Sequence, residues 1–329
     1  MQVLRITRPG GPEVLEFEER PAPTPLGAEL LVRVRATALN RADLLQMHGK
    51  YAAPPGVPAD VAGLEYAGEV LAVGPSVRRF QVGDRVMGLV GGGAFSEQLL
   101  THEREAMHVP APLDFIQAAA LPEAYLTAFD ALVLQGGLRM GESVLIHAVA
   151  SGVGSAAAQI CRAMGAQTLG TGRNAQKLAR ATEWGVEKTV LCDTQPPRFA
   201  EAVKEATGGR GVDLALDLVG GDYLPETLRA MALQGRVLLV GLVAGRQADV
   251  ELDVLLARRL RLTGTVLRSR QPEEKMALVQ AAERSLLPLF RSKALTPVVD
   301  AVYPMKQARE AITRMARNET VGKLVLQWE

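Results

Sequence analysis

The run His147-Ala148-Val149-Ala150-Ser151-Gly152-Val153-Gly154-Ser155-Ala156-Ala157 leaves an apolar stretch and enters a helical pattern that continues to about Met164. Such a strand-to-helix turn aims backbone N–H groups and the positive end of a helix dipole at one point, which suits the pyrophosphate of a dinucleotide. Gly152 and Gly154 permit close approach, and Ala156 and Ala157 keep the helix near a sheet. The match to G-x-G-x-x-G is imperfect. Aligned on Gly154, the fingerprint wants glycine where Val149 and Ser151 stand. A tight turn with no ligand would use the same residues. Placement at the first βα turn of a repeating strand–helix pattern favours binding.

The end of the next strand reads Thr171-Gly172-Arg173-Asn174-Ala175-Gln176-Lys177. A site for NAD usually places a carboxylate there, on the ribose 2′-hydroxyl. Here there is none. Arg173 and Lys177 are four apart at a helix start and can face one space, where two cations suit a 2′-phosphate. A solvated helix end would also carry such residues. With the glycine turn upstream, the pattern favours NADPH over NADH.

These residues need a sheet to hold them. The apolar runs Val144–Ala148, Thr168–Thr171, Lys188–Leu191, Asp213–Leu218, Arg236–Val240 and Leu260–Thr265 are separated by helix-length segments, with Asn174 as a helix start and Gly165, Gly185 and Gly235 as stops. Six strands joined by helical crossovers imply an α/β fold with a Rossmann, doubly wound parallel six-stranded sheet. Before it, short strands at Met1–Thr7, Leu30–Ala36, Glu69–Val73 and Arg85–Val90, punctuated by prolines, imply a β-rich domain. Gln117–Leu134 reads as mostly helical, with Pro122 breaking or starting a helix. After a helix to about Phe290, strand-like pieces at Pro297–Val302 and Lys323–Gln327 flank a helix at Gln307–Ala316 and are expected to return to the first domain. The expected division is 1–122, 123–267 and 268–329.

The whole chain narrows the function further. A formal charge of +1 over 329 residues, without blocks of like charge, gives nucleic-acid binding no electrostatic support. Two cysteines, Cys161 and Cys192, make no disulfide framework. No apolar run reaches membrane-spanning length and the start lacks a signal-peptide pattern, so a cytoplasmic protein is expected. His48, His102, His108 and His147 show no metal-ligand spacing.

Ala38-Leu39-Asn40-Arg41-Ala42-Asp43, Gly63-Leu64-Glu65, Pro122 to Phe129 and the Ala148–Gly154 loop together resemble the zinc-less quinone oxidoreductase (zeta-crystallin-like) branch of the medium-chain dehydrogenase/reductase superfamily. The resemblance covers nearly the whole chain. Ser151-Gly152-Val153-Gly154, Leu267-Arg268-Ser269-Arg270 and Gly322-Lys323 are most similar to the stress-induced mammalian members. It implies a GroES-like β-rich substrate domain completed by the C-terminal segment, and a homodimer through the last Rossmann strand, here Leu260–Thr265. Where zinc-dependent relatives carry a catalytic cysteine this chain has Asn40, and their Gly-His-Glu is Gly63-Leu64-Glu65, so no metal is expected. Without a Lewis acid an alcohol is a poor donor, and acceptors that take hydride readily fit better: a quinone, or an activated enone.

The resemblance also assigns residues. Tyr51, in the loop Gly49 to Pro55, lies beside the nicotinamide and can stack on a quinone or donate its phenolic proton; loop packing is the alternative. Asn40 can hydrogen-bond the acceptor or the nicotinamide ribose, or simply cap a helix. Thr127 lies near the nicotinamide or packs its helix. Asp43 reads as a solvated helix residue or structural ion-pair partner. Ser151, Gly152, Val153 and Gly154 hold the pyrophosphate, with Gly172 beside Arg173 and Lys177. Val219, Gly241, Leu242, Val266 and Leu267 complete the cofactor set. Lys323 approaches the 2′-phosphate, and Cys192 stands where many relatives carry a tyrosine near it. Three functions remain open: NADPH:quinone reduction, enone or alkenal double-bond reduction, and a low-turnover NADPH-binding sensor or structural protein.

Overall fold

A computed structural model of the chain describes residues 1–328. They form two compact units: Met1–Leu126 with the segment from Leu267 onward, and Thr127–Val266. The first begins with strands β1 (Gln2–Ile6), β2 (Leu15–Glu19), β3 (Glu29–Ala38), β4 (Glu65–Val73), β5 (Arg85–Leu89), β6 (Gln98–His102) and β7 (Ala106–His108). The second holds β8 (Ser143–Ile146), β9 (Gln167–Gly172), β10 (Lys188–Leu191), β11 (Val212–Asp217), β12 (Met231–Leu239) and β13 (Arg261–Gly264). The chain then returns to the first unit with β14 (Val299–Pro304) and β15 (Lys323–Gln327).

The second unit is a parallel sheet in the order β10-β9-β8-β11-β12-β13. Its first strand, β8, has neighbours reached by crossovers in opposite directions, so the strand order reverses there. Ligands of open α/β sheets bind at such a switch point, outside the carboxyl ends of the strands. β8 is buried at every position, as a strand covered on both faces must be. Gly235 does not stop a helix: the preceding helix Tyr223–Ala230 gives way to extended chain at Met231, and Gly235 lies inside β12 where the register with β11 shifts.

In the first unit the order is β14-β15-β3-β4-β5-β7, with β6 also on β3. The C-terminal strand β15 pairs antiparallel with β3, so this GroES-like domain is completed by residues from both ends of the chain. Its core runs from Val3 and Leu15 through Val34, Met47 and Tyr66 to Ile312, Leu324 and Trp328. Helix Pro122–Phe129 starts at the expected proline and passes into a π-type turn over Asp130–Gln135. No helix among the described residues is long and apolar enough to cross a membrane.

Where β4 crosses β3, Gly68 leaves no room for a side chain: a Cβ there would lie 1.9 Å from the carbonyl oxygen of Arg33. Gly68→Ala is expected to cost about 3 kcal/mol or more by overpacking, read as a lower urea midpoint. An unchanged midpoint would contradict this packing.

Candidate functional site

At the carboxyl edge of the second unit's sheet, β8 ends at Ile146 and the chain turns through Ala148, a non-glycine residue at φ +48°, into helix Gly152–Ala163. Such a left-handed residue is strained and is held by its surroundings. Ser151 caps the helix, its Oγ accepting the Gly154 N–H at 3.1 Å. A Cβ at Gly154 would come within 2.6–2.7 Å of backbone atoms of Ala148 and Val149. Glycine therefore lets the helix start tight against the turn, while Ser151, Gly152 and Val153 remain half-buried with helix-start N–H groups facing outward. β9 ends at Gly172; Arg173 is exposed, and Asn174 caps the next helix by accepting the Lys177 N–H at 3.1 Å. No carboxylate stands between Thr171 and Lys177.

The loops after β11 and β12 are equally fixed. Asp217 Oδ1 accepts the N–H groups of Val219 and Gly220, both at 2.8 Å. Gly241 passes so close to Leu218 that a Cβ would lie 2.3 Å from its carbonyl oxygen. Leu242 and Val266 are exposed, whereas the Leu267 side chain is buried and offers only backbone. Thr127 is buried on its helix. His147 is sealed in the interior between the hydroxyls of Thr171 and Thr227, both at 2.8 Å, and burial holds its pKa below the ordinary value. This edge fits a dinucleotide: an open helix start, glycines at the close passes and exposed cationic chain after β9.

The first unit gathers a second constellation. Lys323, 5% exposed on β15, donates to the Leu39 carbonyl at 2.8 Å and to Asn40 Oδ1, and pairs with Glu65 Oε1 at 2.7 Å. The Asn40 amide gives both protons to protein acceptors, Ala38 O at 3.2 Å and Glu65 Oε1 at 2.8 Å. Glu65 is fully buried, and its Oε2 accepts the Glu123 N–H at 2.8 Å. Asp43, also fully buried, accepts N–H groups of Asn40 and Gly63 at 2.7 and 3.0 Å. Burial pushes its carboxyl up to about 6 despite those donors. Beside them Arg268 stacks over the Tyr51 ring, 4.8 Å from its centroid, and bonds Gly91 O at 2.7 Å and Gln46 Oε1 at 2.5 Å. Burial lifts the Tyr51 phenol above its usual value, against the pull of Arg268, so it stays a proton donor.

Several expectations change. Lys323 is not available to a 2′-phosphate: its ammonium is enclosed by Glu65, Asn40 and Leu39. Asn40 has no free amide proton for an acceptor, because its neighbours take both. Asp43 is not solvated; it ties the start of helix Arg41–Met47 to the Gly63 loop. Cys192 is 2% exposed, packs with Phe199 and Tyr223, and burial pushes its thiol up to about 11, so it is a core residue and not a phosphate contact. Gln46, Arg268 and Glu123 were not singled out as site residues, since what marks each is a partner distant in sequence. The donor chemistry does not fit zinc: Glu65 and Asn40 already face an ammonium, and among the described residues no group of three or more His, Cys, Asp and Glu could hold a metal.

Residues 152–283 match the family model described as zinc-binding dehydrogenase, and residues 27–111 match the alcohol dehydrogenase GroES-like domain. Over 320 residues, 96% of each chain, the sequence is 36% identical to the quinone oxidoreductase of Pseudomonas aeruginosa. The fold is similar to that of a mycobacterial protein solved in complex with NADPH, with TM-score 0.88 and 28% identity over 99% of this chain and 100% of the other. It is also similar to CurK enoyl reductase, with TM-score 0.87 and 28% identity over 100% and 99% of the two chains.

Removing one partner of a buried ion pair strands the other. Lys323→Met is expected to destabilise by about 3–5 kcal/mol, and Lys323→Met with Glu65→Gln to recover part of that loss in urea unfolding. A single variant as stable as the parent would contradict the pairing.

Proposed function

The chain belongs to the medium-chain dehydrogenase/reductase superfamily of oxidoreductases, with quinone oxidoreductase-like relatives, and we propose that it is a zinc-independent, NADPH-dependent quinone reductase. The observation that carries this reading is the carboxyl edge of the parallel sheet. There an open helix start at Ser151–Val153 is followed, after β9, by exposed Arg173 and then Lys177, with no carboxylate between. In this reading Ser151, Gly152, Val153 and Gly154 cradle the pyrophosphate. Gly172 gives way to Arg173 and Lys177, which take the 2′-phosphate. Val219, Gly241, Leu242, Val266 and the Leu267 backbone line the nicotinamide half, with Thr127 near it. A bound NADPH supplies hydride at its nicotinamide ring. The protein orients the acceptor, and its Tyr51 ring, backed by Arg268, offers a flat surface for a quinone and an O–H donor. The 36% identity to a quinone oxidoreductase along almost the full length of both chains supports the acceptor class.

The likeness to CurK enoyl reductase favours one second reading, reduction of an activated enone on the same scaffold. Steady-state assays with an ortho-quinone, a para-quinone and a simple enone separate the two. Quinone-dependent NADPH oxidation is expected, and turnover of the enone alone would move the function to double-bond reduction. In binding titrations Arg173→Ala with Lys177→Ala is expected to weaken NADPH about 100-fold or more, two charged hydrogen-bonding partners being lost, with little change for NADH. Equal loss of both cofactors would refute the 2′-phosphate assignment.

The reading includes a homodimer formed by edge-to-edge pairing of β13. This strand ends the sheet order with one edge free, and Leu252 and Leu256 on the preceding helix are 67% and 78% exposed. Leu256→Glu is expected to shift the mass measured by light scattering from dimer to monomer. A monomeric parent would contradict it.

A further inference from the structure

Near the end of β9, within the second unit, three rings pack together: His147 after β8, Phe199 before helix Ala200–Ala206, and Tyr223 at the start of helix Tyr223–Ala230. The Tyr223 centroid lies 5.2 Å from that of His147 and 5.7 Å from that of Phe199. Two links carry this cluster to the residues just before Arg173. The His147 ring bonds the Thr171 hydroxyl at 2.8 Å. Cys192, which shares its core with Phe199 and Tyr223, donates its backbone N–H to the Gly172 carbonyl at 2.8 Å. Tyr223 is 7% exposed, yet its phenolic oxygen reaches the surface and has no hydrogen-bond partner among the described residues. A buried tyrosine usually finds a partner for its O–H. The Arg173 guanidinium, whose charge acts on this phenol, is exposed and likewise has no hydrogen bond or ion pair among the described residues. Three carboxylates stand around this point, and none accepts from either group. Asp217 Oδ1 takes the Val219 and Gly220 N–H groups, Asp222 Oδ2 takes the Gln195 amide at 2.8 Å, and Asp193 is exposed to solvent.

We propose that Tyr223 is a specificity-determining residue, its phenol O–H donating to the 2′-phosphate of NADPH beside the Arg173 guanidinium. The proposal rests on the NADPH reading above and lies wholly within the second unit. One cationic and one neutral donor, neither spent on the protein, stand together at the end of β9. A phosphate monoester carries the charge and the several acceptor oxygens that such a pair can use. A ribose 2′-hydroxyl carries no charge, so NADH gains little from either donor. Packing against His147 and Phe199 holds the ring before any ligand arrives, which keeps the ordering cost of binding small. Burial first, and then Cys192 and Asp217 beside it, push the phenol up to about 12 against the pull of Arg173. It therefore keeps its proton at neutral pH and remains a donor.

The test uses the full-length protein with Tyr223→Phe, which keeps the packed ring and removes only the hydroxyl. Calorimetric titrations compare NADPH with NADH, and adenosine 2′,5′-bisphosphate with adenosine 5′-monophosphate. Tyr223→Phe is expected to weaken NADPH and the bisphosphate about 10-fold, the loss of one hydrogen bond to a charged group, and to leave NADH and the monophosphate unchanged. With a quinone, KM for NADPH should rise while kcat holds. Loss of ring packing alone would weaken all four ligands alike, and that result would overturn the proposal, as would an unchanged NADPH affinity. Arg173→Ala with Lys177→Ala, measured in parallel, separates the two levels. If that pair loses NADPH while Tyr223→Phe does not, only the role of Tyr223 falls. If neither variant distinguishes NADPH from NADH, the 2′-phosphate reading falls and the proposal with it.

Discussion

A carboxylate with no exposed surface must have its charge met from within. In the first unit that requirement falls on Glu65, and Lys323 meets it at 2.7 Å. The pair joins β4 to the last strand of the chain. Asn40 bridges both partners, and the same Glu65 holds the start of helix Pro122–Phe129 through the Glu123 N–H. One ion pair thus fixes the C-terminal strand on β3, the loop before helix Arg41–Met47 and the helix that carries Glu123.

The second unit depends on steric close passes. Gly154 lets the helix begin against the turn from β8, and Gly241 lets the chain leaving β12 run past Leu218. These contacts hold the loops of successive parallel strands at one edge, together with the helix start at Ser151–Val153 and the exposed Arg173 after β9. Fold and family agree with an oxidoreductase that uses a nicotinamide cofactor. The first unit offers side chains of a different kind, with Arg268 stacked over the Tyr51 ring.

Much of this was legible in the sequence because local signals coincide with the fold. Lys188–Leu191 has the expected ends, and the other Rossmann strands overlap their expected runs, with β12 beginning at Met231 rather than at Arg236. Elements with weak periodicity were missed. β2 exposes Glu16, Phe17 and Glu19 and reads as polar chain, and helix Leu252–Arg258, whose Val254 and Leu255 only partly pack on the core, is legible only as a helix-length crossover. The phosphate turn was visible because its residues are contiguous. The polar cluster was not, since Lys323, Glu65, Asp43 and Glu123 become neighbours only through β15–β3–β4 pairing. From sequence, Lys323 is accordingly read as a phosphate contact, and Asp43 as solvated or as a structural ion-pair partner. The raised pKa of Glu123 is a property of that assembled neighbourhood and of no sequence pattern.

The central claim is direct hydride transfer from NADPH to a bound acceptor. Its most direct test is a single-turnover measurement of ortho-quinone reduction using NADPH deuterated at the transferring position of nicotinamide C4. The account predicts loss of the reduced-nicotinamide absorbance in step with quinone reduction, slowed by a primary isotope effect. Tight NADPH binding with no oxidation by quinone or enone would contradict it and point to a cofactor-binding protein without turnover.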